Sequence, residues 1–70
     1  MNVLTKKEMK AHNAKVIKNV LVALVENHLA DPSRLLTDSE YAAERISYYM
    51  EAANIVREMM NMPKLYLYEI

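Results

Sequence analysis

The second half of the chain carries apolar side chains at helical spacing. One row repeats at intervals of four and three residues: Ala42, Ile46, Tyr49, Ala53, Val56 and Met60. A second row with the same intervals lies beside it: Tyr41, Arg45, Tyr48, Ala52, Ile55 and Met59. The opposite side is polar and mostly acidic: Glu40, Glu44, Ser47, Glu51, Asn54, Glu58 and Asn61. This pattern predicts a helix over residues 38–61 with a wide apolar face and an acidic back.

The first half predicts another long helix, over residues 6–30. Its early part is amphipathic, with apolar positions set against lysines, whereas residues 20–25 read VLVALV and are apolar on every side. A helical segment that is apolar all round is normally buried all round. One antiparallel neighbour covers only one face, so we expect a homodimer in which a second copy covers the rest.

The starts of both helices carry capping signals. The stretch TKKE places Thr5 at the N-cap with Glu8 three residues later, and TDSE does the same with Thr37 and Glu40. Both fit the capping box, in which the hydroxyl and the carboxylate each accept a hydrogen bond from a free backbone amide.

The connection between the helices is predicted over residues 31–37. Asp31 precedes Pro32, and a residue before proline is disfavoured in the α conformation. Asp31 can instead cap a short turn that begins at the proline. A connection this short favours antiparallel packing. We therefore predict an all-α fold with a single domain over residues 1–70: a helical hairpin with an extended C-terminal arm over residues 64–70, assembled as a dimer of four long helices.

The predicted arm, KLYLYEI, alternates with a period of two residues. Leu65 and Leu67 lie on one side, which we expect to face the helices, and Tyr66 and Tyr68 lie on the other. No other segment alternates in this way, so the chain offers no second strand. Three arrangements stay open: pairing with the arm of a second copy, addition to the sheet edge of a foreign protein, or an unpaired arm that lies along the helices.

Composition narrows the classes of function. The 70 residues include no cysteine and no glycine, which excludes disulfides, thiolate metal sites, phosphate-binding glycine loops and the nucleophile elbow. No secretory signal is visible, and the longest apolar run falls far short of the roughly 20 residues of a membrane span. We therefore expect a cytoplasmic protein. Hydrophobic residues make up 53% of the chain, which is high for so small a domain and leaves apolar surface for a partner.

Charge is balanced overall but divided between the halves. Residues 1–34 hold six cations and three anions, and residues 35–70 hold three cations and six anions. The halves can therefore attract each other, within one chain or between chains. The acidic back of the second helix is most simply a solvated face, and if it binds, it favours a basic surface.

Metal and catalytic sites are not predicted. His12 and His28 point about 160° apart on one helix and cannot share an ion. Glu8 and His12 are one turn apart, but two ligands make a poor site, so we expect a solvated surface pair. No titratable pair lies in an arguable pocket, and we expect no enzymatic activity and no cofactor.

The predicted function is binding to another protein, as a regulator, adaptor or inhibitor that occludes a surface of its partner. Tyrosine and arginine are enriched at binding hot spots, which singles out a Tyr/Arg cluster beside the acidic back, formed by Tyr41, Arg45, Tyr48 and Tyr49. The candidate protein-binding residues are Tyr41, Arg45, Tyr48, Glu44, Glu51, Glu58, Tyr66 and Tyr68. The alternative is a small dimeric nucleic-acid-binding regulator that uses the lysines of the first helix: Lys7, Lys10, Lys15 and Lys18.

Overall fold

The computed structural model describes residues 3–70 and shows three helices in that part of the chain. Helix α1 runs over Lys6–Glu26, α2 over Pro32–Thr37 and α3 over Ser39–Met59. No β-strand occurs among the described residues. The predicted all-α class is confirmed, and the connection between the two long helices contains a third, short one.

One predicted capping box is confirmed and the other is wrong. At the start of α1, Thr5 Oγ1 accepts from the Glu8 amide and Glu8 Oε1 accepts from the Thr5 amide, both at 3.1 Å. At the start of α3 the N-cap is Asp38, whose Oδ1 accepts from the Tyr41 amide at 3.0 Å. Thr37 instead closes α2, where its hydroxyl donates to a carbonyl of the preceding turn. The carboxylate takes the cap position because Asp is the better N-cap residue.

Both long helices end earlier than predicted. Helix α1 stops at Glu26, four residues short of the expected end, and α3 stops at Met59, two residues short. After each cap a residue adopts the left-handed conformation, His28 with φ 55° and Asn61 with φ 57°. The next amide bonds back to the last helical turn at 2.8 Å in each case. This Schellman arrangement ends a helix through hydrogen bonds to the carbonyls of its own last turn. Helix α1 therefore ends before the chain reaches Pro32.

The short helix α2 begins as the sequence predicts. Asp31 is its N-cap, with Oδ1 accepting from the Ser33 amide at 3.0 Å, and Pro32 occupies the first helical position. Both α1 and α2 pack against α3. Arg45 of α3 donates to the Leu29 carbonyl, just beyond the end of α1, at 3.2 Å. This contact brings the end of α1 near the early part of α3, as a helical hairpin requires.

The core is small and the surface large. Among the described residues, only Val20 and Leu24 are buried hydrophobic side chains, whereas Val22 and Val25 of the same apolar run are exposed. The chain exposes 5764 Å², and a compact monomer of this mass exposes about 4,500 Å². The molecule is also flat, measuring 42 × 30 × 17 Å. One chain therefore leaves part of the VLVALV run uncovered.

Candidate functional site

One exposed apolar feature is a row on α3 that we call the α3 ridge: Tyr48, Ala52, Ile55 and Met59. Tyr48 is 51% exposed, Ile55 58% and Met59 82%. Ala52, between them, is also exposed. Their intervals of four, three and four residues are those of a coiled-coil contact. A row at this spacing lies along one helix face, where it can pack against another helix.

Beside the α3 ridge the surface is concave. A groove of about 460 Å³ opens there, lined by Leu29, Tyr49, Ala53, Val56, Arg57, Met60 and Met62 along with Tyr48 and Ala52 of the ridge. Val56 and Met60 are themselves more than half exposed. The sequence places both of them in the same row as the half-buried Ile46 and Tyr49. That row therefore packs inward only in its first part.

Acidic side chains run along the α3 ridge at intervals of seven residues. Glu44, Glu51 and Glu58, which we call the acidic row, are all exposed. Glu58 lies 3.5 Å from the Lys64 ammonium. The other two make no ion pair within residues 3–70. The acidic row thus presents largely uncompensated negative charge next to an apolar face.

The predicted Tyr/Arg cluster is divided between structural and exposed roles. The Tyr41 hydroxyl accepts from the Asp31 amide at 2.9 Å, and the Arg34 guanidinium lies 3.9 Å from the centre of the Tyr41 ring. The Arg45 guanidinium lies over the Tyr48 ring, 4.9 Å from its centre. Tyr41 and Arg45 therefore hold the connection against α3, and Tyr48 is the exposed member of this cluster.

Residues 63–70, the C-terminal segment, obtain backbone partners from asparagine side chains. Asn54 of α3 accepts from the Leu65 amide at 2.6 Å and donates to the Leu65 carbonyl at 2.9 Å. Asn13 of α1 does the same for Tyr68, with both bonds at 2.8 Å. A carboxamide offers one donor and one acceptor side by side, as a neighbouring strand does. Side chains of α1 and α3 thus bind backbone groups of the C-terminal segment that a neighbouring strand would otherwise bind, and no such strand occurs in residues 3–70.

The two tyrosines of the C-terminal segment form an aromatic cluster on α1. The His12 ring stacks on Tyr66 at 4.6 Å and meets Tyr68 edge-on at 5.0 Å, and His12 Nε2 lies 3.0 Å from the Tyr66 carbonyl oxygen. The expected solvated pair of Glu8 and His12 is therefore wrong. The expected orientation is also wrong, since Tyr68 is half-buried like Leu65, while Leu67 is exposed.

Three ionisable groups have shifted pKa values, each through local hydrogen bonds. The hydroxyl and amide of Ser33 lower the pKa of Asp31. The Tyr41 amide, and then Arg34, lower the pKa of Asp38. The hydrogen bond to the Tyr66 hydroxyl, at 3.2 Å, raises the pKa of Tyr68. Asp31 and Asp38 are N-caps, so the lowered pKa values of these two carboxyl groups reflect helix ends.

Helix α1 presents two further surfaces. Its lysines Lys7, Lys10, Lys15 and Lys18 are exposed, and none makes an ion pair within the part of the chain that the structure describes. At its far end Val22 and Val25 meet Leu36 of α2, which is 89% exposed, around an apolar groove of about 440 Å³. We call these three residues the α1–α2 patch.

Residues 3–70 contain neither a metal-binding cluster nor a membrane-spanning helix. No group of three or more histidine, aspartate or glutamate side chains there is placed to hold a metal ion. None of the helices found there combines the length and the apolarity needed to cross a membrane.

Sequence reasoning missed the residues that matter most to these surfaces. Ala52, Ile55 and Met59 appeared as a second apolar row but not as a contact site, although the glutamates at intervals of seven beside them were a usable signal. Asn54 was assigned to the solvated back, yet it is half-buried. No sequence pattern distinguished Asn13 and Asn54 from surface asparagines, because their partners are more than ten residues away.

Comparison with known proteins found no relative: the chain matches no protein-family model, no curated protein and no solved structure.

Proposed function

We propose that this chain is a small non-enzymatic module that binds another protein, acting as a regulator, adaptor or inhibitor by covering a surface that its partner needs. The observation that carries the proposal is the chain's excess of exposed surface, which includes the large apolar side chains of the α3 ridge and the α1–α2 patch. The chain exposes 5764 Å², roughly 1,250 Å² more than a compact monomer of its mass. A standard interface buries about 800 Å² on each partner, so the excess is sufficient for one or two contacts.

A homodimer is part of this proposal. The α1–α2 patch supports it, because Val22 and Val25 belong to the apolar run that one chain leaves uncovered. Packing two such patches together would place four long helices in one assembly. We expect the chain to have twice the mass of a monomer in solution. The double variant Val22→Asp with Leu36→Asp should return that mass to the mass of a monomer. Both positions are exposed, so loss of the dimer would not require loss of the fold.

The C-terminal segment has a different role in this proposal, as an arm that lies along its own helices. Its hydrogen bonds to Asn13 and Asn54 and its stacking on His12 support that role. The arrangement gives the backbone of KLYLYEI hydrogen-bond partners without a partner sheet. Of the eight candidate protein-binding residues, the proposal keeps four for the partner: Tyr48, Glu44, Glu51 and Glu58.

The test is a pull-down with the full chain from a lysate of its source cell, with and without nuclease, followed by measurement of complex mass. The proposal expects one protein that stays bound after nuclease and forms a complex of defined stoichiometry with the purified chain. A chain that binds no protein and has the mass of a monomer would refute it.

The alternative, a dimeric nucleic-acid-binding regulator, rests on the exposed lysines of α1. Lysines that neutralise phosphates produce binding that weakens steeply with salt. Lys7→Glu, Lys10→Glu and Lys18→Glu together would abolish such binding. They would leave a protein complex made through α3 intact, so this variant separates the two functions.

A further inference from the structure

The exposed face of α3 indicates what kind of partner would bind there as well as where the partner would bind. We propose that the α3 ridge and the acidic row together bind one amphipathic helix of a foreign protein, with apolar residues at heptad spacing and lysine or arginine beside them. This inference rests on the proposed function and specifies its surface. The apolar contact would come from Tyr48, Ala52, Ile55 and Met59, and the charge contact from the three glutamates.

The register of the glutamates supports a helical partner. Glu51 and Glu58 directly precede Ala52 and Met59, and Glu44 continues the same interval of seven. In a two-helix contact, residues that flank the apolar row lie next to the flanking residues of the other helix. A partner with basic flanks would therefore meet the negative charge of Glu44 and Glu51, and of Glu58 beside Lys64, whereas a helix with acidic flanks would be repelled.

A second copy of α3 does not provide that complement. Its two arginines already donate to backbone carbonyls of their own chain, Arg45 to Leu29 at 3.2 Å and Arg57 to Pro63 at 2.8 Å. Antiparallel pairing of two such helices would also bring Glu51 close to Glu58 of the other copy. Charge complementarity therefore favours a foreign basic helix over self-association along this face.

The groove beside the α3 ridge is the part of the surface that side chains of a docked helix would enter. Its volume of about 460 Å³ has room for large side chains. Methionines contribute to it at Met60 and Met62, and methionine side chains adapt to the shape of an incoming group. Apolar residues in such a depression, surrounded by polar groups, are typical of the energetic centre of an interface.

The experiment uses the full chain and two designed helical peptides, both with leucine and isoleucine at heptad spacing. One peptide carries lysine and the other glutamate at the flanking positions. Fluorescence anisotropy at low salt is expected to show binding of the lysine peptide and at least tenfold weaker binding of the glutamate peptide. Replacing all three glutamates of the acidic row by lysine should reverse this preference.

Two single variants test the surface. Ile55→Asp removes the apolar contact and should abolish binding of the lysine peptide. Glu51→Lys should weaken it at least about threefold, and the matched control Glu26→Lys, an exposed glutamate on α1, should leave it unchanged. Circular dichroism must show the same helix content in each variant, so that a loss of binding reports on the surface.

Three outcomes of these binding experiments would overturn the inference. No binding of the lysine peptide at about 100 µM (about −5.5 kcal/mol), or binding that Ile55→Asp leaves intact, means that the α3 ridge does not receive a basic helix. A dimer that Ile55→Asp dissociates assigns the ridge to a second copy. In all these cases the proposed function survives if the chain still forms a nuclease-resistant complex with a cellular protein, so the two failures are distinguishable.

Discussion

The paired hydrogen bonds of Asn54 allow a direct test of how the C-terminal segment is held. This side chain both accepts from and donates to the backbone of Leu65, at 2.6 and 2.9 Å. Asn54→Ala removes both bonds and adds no bulk. The expected result is local: the C-terminal segment separates from α3 near Leu65, while the helices remain folded.

The magnitude follows from the number of bonds lost. A neutral hydrogen bond contributes about 0.5–1.5 kcal/mol net, and water can replace part of this once the segment separates. We therefore expect a local loss of about 1–2 kcal/mol, which is roughly a 5- to 30-fold increase in opening. Alanine is also a better helix former than asparagine, by up to about 0.7 kcal/mol. The global melting temperature will therefore understate the effect.

The assay is amide hydrogen exchange at Leu65, whose N–H donates to Asn54 Oδ1. Exchange at this amide should accelerate 5- to 30-fold in Asn54→Ala. The Tyr68 amide, bonded to Asn13, should respond more strongly to Asn13→Ala. Ser47→Ala, at an exposed position of α3, is the control and should change neither. An unprotected Leu65 amide in the unmodified chain would refute the reasoning.

Three further predictions concern stability. Ile46 is half-buried and Ile55 is exposed on the same helix; Ile46→Asp should therefore unfold the chain, because an unpaired buried charge costs several kcal/mol, and Ile55→Asp should move the melting temperature by only a few degrees. Equal effects in thermal unfolding would show that the faces of α3 are misassigned. His28→Gly should stabilise the chain by about 0.5–1 kcal/mol in urea unfolding, since glycine adopts the φ of 55° seen there without steric cost; a lower stability would contradict the left-handed helix end. Asp38 has a lowered pKa, so its contribution is present above the usual value of 3.8 and is lost as the pH falls through the folded-state pKa. Asp38→Asn should accordingly reduce the loss of stability measured between about pH 5 and pH 2.5, and an unchanged slope would show that the cap carboxylate contributes nothing.

The candidate surfaces were partly visible in the sequence. The glutamates of the acidic row and the apolar positions beside them follow from helical spacing, and the structure places them together on one exposed side of α3. What spacing did not reveal is which apolar row faces inward. Tyr41 and Arg45 lie in the same row as Ile55 and Met59, yet they bind the connection while the others remain exposed. That division depends on the tertiary contacts of Tyr41 and Arg45.

The sequence by itself determined the local structure: two long helices, the capping box at Thr5, the cap at Asp31 and the acidic back of α3. These features depend on residues three or four positions apart, so their energetics are already present in a short segment. Tertiary structure decided the rest. His12, Asn13 and Asn54 bind a segment more than ten residues away, and only chain packing brings a side-chain amide within 3 Å of a distant backbone group. The sequence therefore predicted that KLYLYEI lacks a second strand to pair with. It did not predict that the side chains of Asn13 and Asn54 take the place of that strand.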